Sequence, residues 1–234
     1  EPDHMRFEHD RPRDLAGEPS LAEMTRAAIT RLSHEKQGYV LLVEGGRIDH
    51  AHHFGNAFRA LTDTIAMAEA VEVAESMTRA DDTLILVTAD HSHVLSFSGY
   101  PRRGNPILGV VRGSFPSGEP KLSVDARGQP YTTLNYANGP GYTGASDTQE
   151  AGPKRFLHEW TEIEPAVGRP NLRQVDTTDP DYLQEAIFPM KSETHGGEDV
   201  ILYARGPGAK AVRGVIEQHV IFHLLLQAHP ALRA

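Results

Sequence analysis

The chain has 234 residues, 39% of them apolar and 24% charged, with a net charge of −9 when histidine is counted neutral. That is ordinary for a globular protein, and long enough to bury a sizeable core in one large domain or two small ones. No basic run, no apolar stretch of bilayer-spanning length and no cysteine occurs. Nucleic acid as a partner, a transmembrane segment, a disulfide framework and a thiolate nucleophile are therefore all argued against.

The chain starts on "EPDHMRFEHDRPRD", with neither an initiator Met nor a signal-peptide pattern, and reads as the interior of a longer or processed chain. Residues 1–18 read as charged loop. Pro19 and the Ser20/Glu23 pair then form a helix-entry signal with a capping box. Leu21, Met24, Ala28, Ile29 and Leu32 follow at helical spacing, which predicts an amphipathic helix over 20–36, stopped at Gly38. The continuous apolar run 39–43 predicts a buried central strand. Leu61, Ile65, Met67, Ala68, Val71, Val73 and Ala74 predict a helix over 57–77. "TLILVTAD" (83–90) and "DVILYARG" (199–206) read as further buried strands, and 212–228 as a last helix. Strand, helix, strand is the grammar of a parallel sheet with crossover helices. Residues 99–192, rich in Gly and Pro and with "KLSV" and "YTTLNYA" as short strands, read as an irregular β-rich insertion.

The chemistry collects around the predicted strands. "YVLLVEGGRIDHAHH" (39–53) ends its strand on Glu44 and continues to Asp49 and His53; "TADHSHV" (88–94) ends on Asp90 and His91; His195 lies in "ETHGGED" just before the third strand. Open α/β sheets bind ligands in the crevice beyond the carboxyl ends of their strands. On a helix, Asp49 and His53 share a face and could grip one ion, and imidazole with carboxylate suits zinc. Glu44 offers only oxygen, better matched to a hard cation such as magnesium. Each motif alone has a bland reading: a chance Asp-xxx-His pair, a helix cap beside a surface His, a Glu-Gly-Gly turn. His219 and His223, amid apolar residues, read as core or interface rather than ligands.

Taken together, "VEGGRIDHAHH", "TADHSHV" and "ETHGGEDV", in that order, with "GYPRRG" and "YANGPGY" between the last two, make the chain resemble the alkaline phosphatase family over nearly its whole length. The resemblance is to the C-terminal half of such an enzyme. It implies a three-layer α/β sandwich with a mostly parallel central sheet flanked by helices. On that plan 1–98 and 193–234 are the two parts of the core, and 99–192 is a crown-like insertion. It implies two zinc ions and one magnesium. Asp49, His53 and His195 match the ligands of one zinc; Asp90 and His91 match half the ligands of the other; Glu44 matches one magnesium ligand. His50, after the zinc Asp, matches a side chain near the substrate phosphate, and His93 is a looser candidate beside the ligands. Glu1 and Glu18 resemble ligands of an additional calcium site in some members. Phosphate monoester hydrolysis through a phosphoserine, activity rising toward alkaline pH, a homodimer and a periplasmic or extracellular location are likewise implied.

The departure from the family is as informative. Its nucleophilic serine lies in an Asp-Ser-Ala motif of the N-terminal half, and no Asp-Ser-Ala occurs here; "ASD" at 145–147 does not fit. The chain thus holds no catalytic nucleophile and is expected to be inactive without the N-terminal half. The alternatives are another hydrolase or mutase of the wider superfamily (phosphodiesterase, sulfatase, phosphomutase) and a non-catalytic zinc-binding module, which should close its site with a fourth protein ligand.

Overall fold

The computed structural model describes residues 4–114, 119–144, 151–157 and 169–229. Its helices are α1 (Leu21–Leu32), α2 (Arg47–His53), α3 (Ala57–Met77) and α4 (Val220–Ala228). Its strands are β1 (Ile85–Val87), β2 (Ser92–His93), β3 (Leu95–Phe97), β4 (Arg112–Ser114), β5 (Pro120–Leu122), β6 (Leu134–Gly139), β7 (Ala186–Pro189), β8 (His195–Gly196) and β9 (Tyr203–Arg205). The elements fall into two compact units. One comprises 1–45, 63–92 and 198–234; the other comprises 46–62 and 93–197. Among the described residues no helix is long and apolar enough to cross a membrane.

In the first unit α1 opens as its sequence requires. Ser20 accepts from the Glu23 backbone and the Glu23 carboxylate takes the Ser20 N–H at 2.7 Å, a closed capping box. The apolar run 39–43 forms no strand: Val40 is 58% and Leu42 88% exposed. A two-faced apolar strand is stable only between neighbours that take its backbone groups, and no described strand pairs with it. The run 83–90 is a strand only over β1, and its partner is β9, antiparallel, with Leu86 opposite Ala204. The predicted helix over 212–228 forms only as α4, with His219 and His223 exposed rather than packed in a core.

The second unit is built on β3–β6–β7, antiparallel between β3 and β6 and parallel between β6 and β7. Leu134, Tyr136 and Ala186 of this sheet pack with Ala57 at the start of α3, and Leu61, Val94, Leu95, Leu108 and Tyr142 close around them. β4 and β5 form a separate antiparallel pair, and β2 pairs with β8. The described ladders are therefore short and mostly antiparallel, where the sequence predicts a mostly parallel central sheet. Apolar runs separated by a helix suggest parallel neighbours, but β1 takes its partner from the far end of the chain.

Two tight devices set the corner between α2 and α3. Helix α2 closes in a Schellman turn. Gly55, at φ 66°, donates to the His52 carbonyl at 2.7 Å, and Asn56 donates to that of Ala51 at 2.9 Å. Asn56 then caps α3, its side-chain oxygen accepting from the Arg59 N–H at 2.8 Å. Its amide donates to the carbonyls of Pro180 and Tyr182, at 2.8 and 3.2 Å. Buried Gln184 adds to the joint: its backbone N–H donates to Gly55 and its side chain accepts from Ala57 N–H. Gly141 lets this segment approach, since a Cβ there would lie 1.8 Å from the Gln184 carbonyl oxygen.

Candidate metal centre

Helix α2 puts Asp49, His52 and His53 on the side of the second unit that meets β2 and β8. Ala51, fully buried, packs the helix down. Because Asp49 and His53 are one turn apart, Asp49 Oδ2 lies 3.4 Å from His53 Nε2. His195 on β8 adds its Nε2, 3.2 Å from His53 Nε2 and 3.2 Å from Asp49 Oδ1. His93 on β2 reaches Asp49 Oδ1 with Nε2 at 3.0 Å. Exposure rises across the cluster, from the fully buried side chain of Glu193 through His53 at 29% to His195 at 50%.

The proton positions follow from the partners. His53 Nδ1 lies 2.6 Å from the Glu193 carbonyl, which only accepts, so Nδ1 carries hydrogen. In the neutral ring Nε2 is then a bare lone pair facing the His195 ring and Asp49. A tetrahedral zinc with bonds of about 2.05 Å sets its ligand atoms about 3.3 Å apart. The two imidazole nitrogens of His53 and His195 lie 3.2 Å apart, close to that edge length, and the Asp49 carboxylate reaches them with separate oxygens, Oδ2 3.4 Å from His53 and Oδ1 3.2 Å from His195. Two imidazole nitrogens and a carboxylate are also the donor chemistry zinc takes.

His93 behaves differently. Its Nδ1 is 2.7 Å from Glu193 Oε2 and its Nε2 faces Asp49, so it is a donor between two carboxylates. Burial alone would push its pKa down, but the hydrogen bonds and charges of Glu193 and Asp49 outweigh burial and hold it above its ordinary value. Burial would likewise push the Asp49 carboxyl up, yet the charges of His53, His93 and His195 hold it below the usual range.

His52 and Tyr136 lie behind the cluster. His52 stacks on His93 with centroids 4.6 Å apart, and its Nδ1 is 2.7 Å from the Tyr136 hydroxyl. Burial and then the charge of His93 lower the His52 pKa to about 4, while burial raises that of Tyr136 well above its ordinary value. Tyr136 therefore donates and His52 accepts. This makes acid sensitivity testable. Below pH 6.5 an unfolded His52 takes a proton that the folded ring refuses until about pH 4. Metal-free protein should lose on the order of 3 kcal/mol as pH falls through that window. His93, whose folded value is raised, gives its full contribution throughout the window and does not mask the effect. Urea midpoints between pH 7 and 4 should fall in the parent and stay flatter in His52→Asn; parallel curves would refute the assignment.

Of the residues singled out from the sequence, Asp49, His53, His93 and His195 come together. His50, on the same helix, is hydrogen-bonded through Nδ1 to Arg47 at 3.4 Å. Glu44, Asp90 and His91 belong to the other unit. There Glu44 is exposed, and the Asp90 carboxylate, 81% exposed, lies 3.4 Å from His91 Nε2. Glu18 accepts from the Arg6 N–H at 2.7 Å, while Glu1 and "ASD" at 145–147 lie outside the described residues. Sequence reasoning missed His52, Tyr136 and Glu193. His52 and Glu193 sit inside the two quoted motifs, but nothing in their spacing separates a supporting residue from a ligand.

The family model described as Alkaline phosphatase matches residues 1–230. The tissue-nonspecific alkaline phosphatase isozymes of Gallus gallus and Felis catus are each 40% identical over 228 residues, covering 97% of the chain and 38% of their own length. An alkaline phosphatase of Gadus morhua is 40% identical over 220 residues, 94% of the chain and 40% of its own. A solved structure of a TAB5 alkaline phosphatase mutant with Mg bound overlays at a TM-score of 0.48 and 18% identity, over 90% of the chain and 41% of that structure. The chain thus spans about two fifths of the length of the relatives it matches. Matched by the family model over 1–230, the chain belongs to the alkaline phosphatase family.

Proposed function

We propose that the chain is the C-terminal portion of a metal-dependent phosphate monoester hydrolase. The observation that carries this reading is the three-donor set Asp49, His53 and His195, spaced 3.2–3.4 Å apart with the ring of His53 held Nε2-inward. Asp49, His53 and His195 hold one zinc; Asp90 and His91 contribute to a second; Glu44 contributes to a magnesium. Zinc supplies Lewis acidity to oxygens of the phosphate ester. The protein's own part is to hold three ligands in place, to aim Asp49 through His93, and to present His50 near the phosphate. The same reading gives Glu18 and Glu1 to an additional calcium site.

The nucleophilic serine and the remaining ligands come from an N-terminal portion. That portion also completes the three-layer sandwich and its parallel sheet, with 99–192 as the crown-like insertion. Exposed Val40, Leu42, Ile201 and Tyr203 in the first unit are the apolar surface it would cover. A homodimer and a periplasmic or extracellular location complete the proposal. A closed structural zinc site is disfavoured, because the nearest fourth imidazole, His93, already serves two carboxylates.

The test is hydrolysis of a chromogenic phosphate monoester and phosphodiester at alkaline pH with zinc and magnesium. Residues 1–234 alone and a family-length protein containing them are compared. Monoester turnover by the long form only, with zinc bound in both, is expected. Turnover by 1–234 alone overturns the division of labour. Preference for the diester moves the chain to a different hydrolase class, and absence of zinc binding removes the metal reading.

A further inference from the structure

Resting on that metal reading, we propose that Glu193 is the positioning residue of the centre, its carbonyl and its carboxylate each taking a ring Nδ1–H so that His53 and His93 both turn Nε2 toward Asp49. Every polar group of Glu193 that could serve this purpose is used. Its N–H donates to the His53 carbonyl at 2.9 Å, and its own carbonyl accepts from His53 Nδ1 at 2.6 Å. This reciprocal pair locks the segment leading into β8 to the last residue of α2. Its carboxylate is split: Oε2 accepts from His93 Nδ1 at 2.7 Å, and Oε1 accepts from the Val94 backbone at 2.8 Å.

The surroundings are built for a buried acceptor here. Gly139, at φ 134°, leaves room where a Cβ would press on the Glu193 Cβ at 3.1 Å. Asn138 holds the next residue, donating to Thr194 Oγ1 at 2.9 Å and accepting from the Thr194 N–H at 3.0 Å. A buried charge is costly unless its oxygens are satisfied. Val94 and His93 satisfy both oxygens of Glu193. What it contributes is orientation: metal-ligating histidines characteristically donate their other ring N–H to a carbonyl or carboxylate. One residue does this for two rings, one a ligand and the other the donor that aims Asp49.

Glutamine has the right shape but only one acceptor oxygen. The Val94 N–H cannot change its role, so the oxygen stays with it and the amide NH₂ faces His93 Nδ1. Glu193→Gln should therefore strip the proton from His93 Nδ1 and leave His53 Nδ1 protonated, because the His53 partner is backbone. In metal-free protein labelled with ¹⁵N-histidine, ring shifts should report that change at His93 alone. Unchanged rings, or both rings loosened together, overturn the proposal in favour of a merely structural loop.

In the family-length protein, zinc affinity measured by chelator competition should fall roughly 10- to 100-fold in Glu193→Gln. In a His93→Ala background the same change should cost nothing further; an additive loss overturns the mechanism through His93. Failure of the parent to bind zinc defeats the metal reading, and the ring shifts still decide the role of Glu193.

Discussion

Replacing Asp49 with alanine is expected to empty the centre of zinc and, in the family-length protein, to abolish phosphate monoester hydrolysis. Asp49 is the carboxylate on the Nε2 side of the rings of His53, His93 and His195, with oxygens 3.0–3.4 Å from an Nε2 of each. Its removal takes away a ligand and the negative charge that lets three imidazoles crowd together. The fall in zinc affinity should exceed the roughly 10- to 100-fold that loss of an outer supporting group costs. Asp49→Asn keeps the shape and loses the charge, and should fall between alanine and the parent. Chelator competition and hydrolysis are measured on the same preparations. Zinc held by Asp49→Ala as tightly as by the parent would sink the assignment of this ligand.

The legible parts of this chain are those set by neighbours in sequence. Ser20 and Glu23 announce the capping box, and the apolar spacing from Leu61 to Ala74 announces α3 at Ala57–Met77. A local apolar run does not reveal its partner. The run 39–43 reads as a central strand, yet a strand exists only where another offers backbone groups, and Val40 and Leu42 face solvent. The two runs that do form strands shrink to β1 and β9 and pair with each other across more than half the chain.

The site divides along the same line. Asp49 and His53 are one helical turn apart, so their meeting is readable. His195 joins them in the sequence only through its family motif, and the β2–β8 pairing that carries it in is a long-range event. Glu193 is a charged residue in a charged-looking segment, and its complete burial depends on Gly139 and Val94, each distant in sequence. Tyr136 reads as a strand residue, and its hydroxyl finds His52 only once β6 lies under α2.

Asn56→Ala should be among the most destabilising single changes in the second unit. The side chain is fully buried and makes three hydrogen bonds. Loss of the cap to Arg59 costs about 1 kcal/mol. The Pro180 carbonyl keeps a donor in Arg59 Nη1 at 2.8 Å, but the Tyr182 carbonyl loses this one, at about 1–3 kcal/mol. The terms are not independent, and a total of about 2–4 kcal/mol is expected. Two further substitutions separate the cap from the clamp. Asn56→Ser can still cap but cannot reach both carbonyls, and should recover about 1 kcal/mol of the loss. Asn56→Asp is as good a cap as asparagine in isolation, but here it turns a carboxylate oxygen toward two carbonyls. It should be no better than alanine. If urea denaturation finds Asn56→Asp as stable as the parent, the residue is only a cap. If it ranks Asn > Ser > Ala ≥ Asp, the clamp to 180–182 is what holds the α2–α3 corner and, with it, Asp49 and His53 against β8.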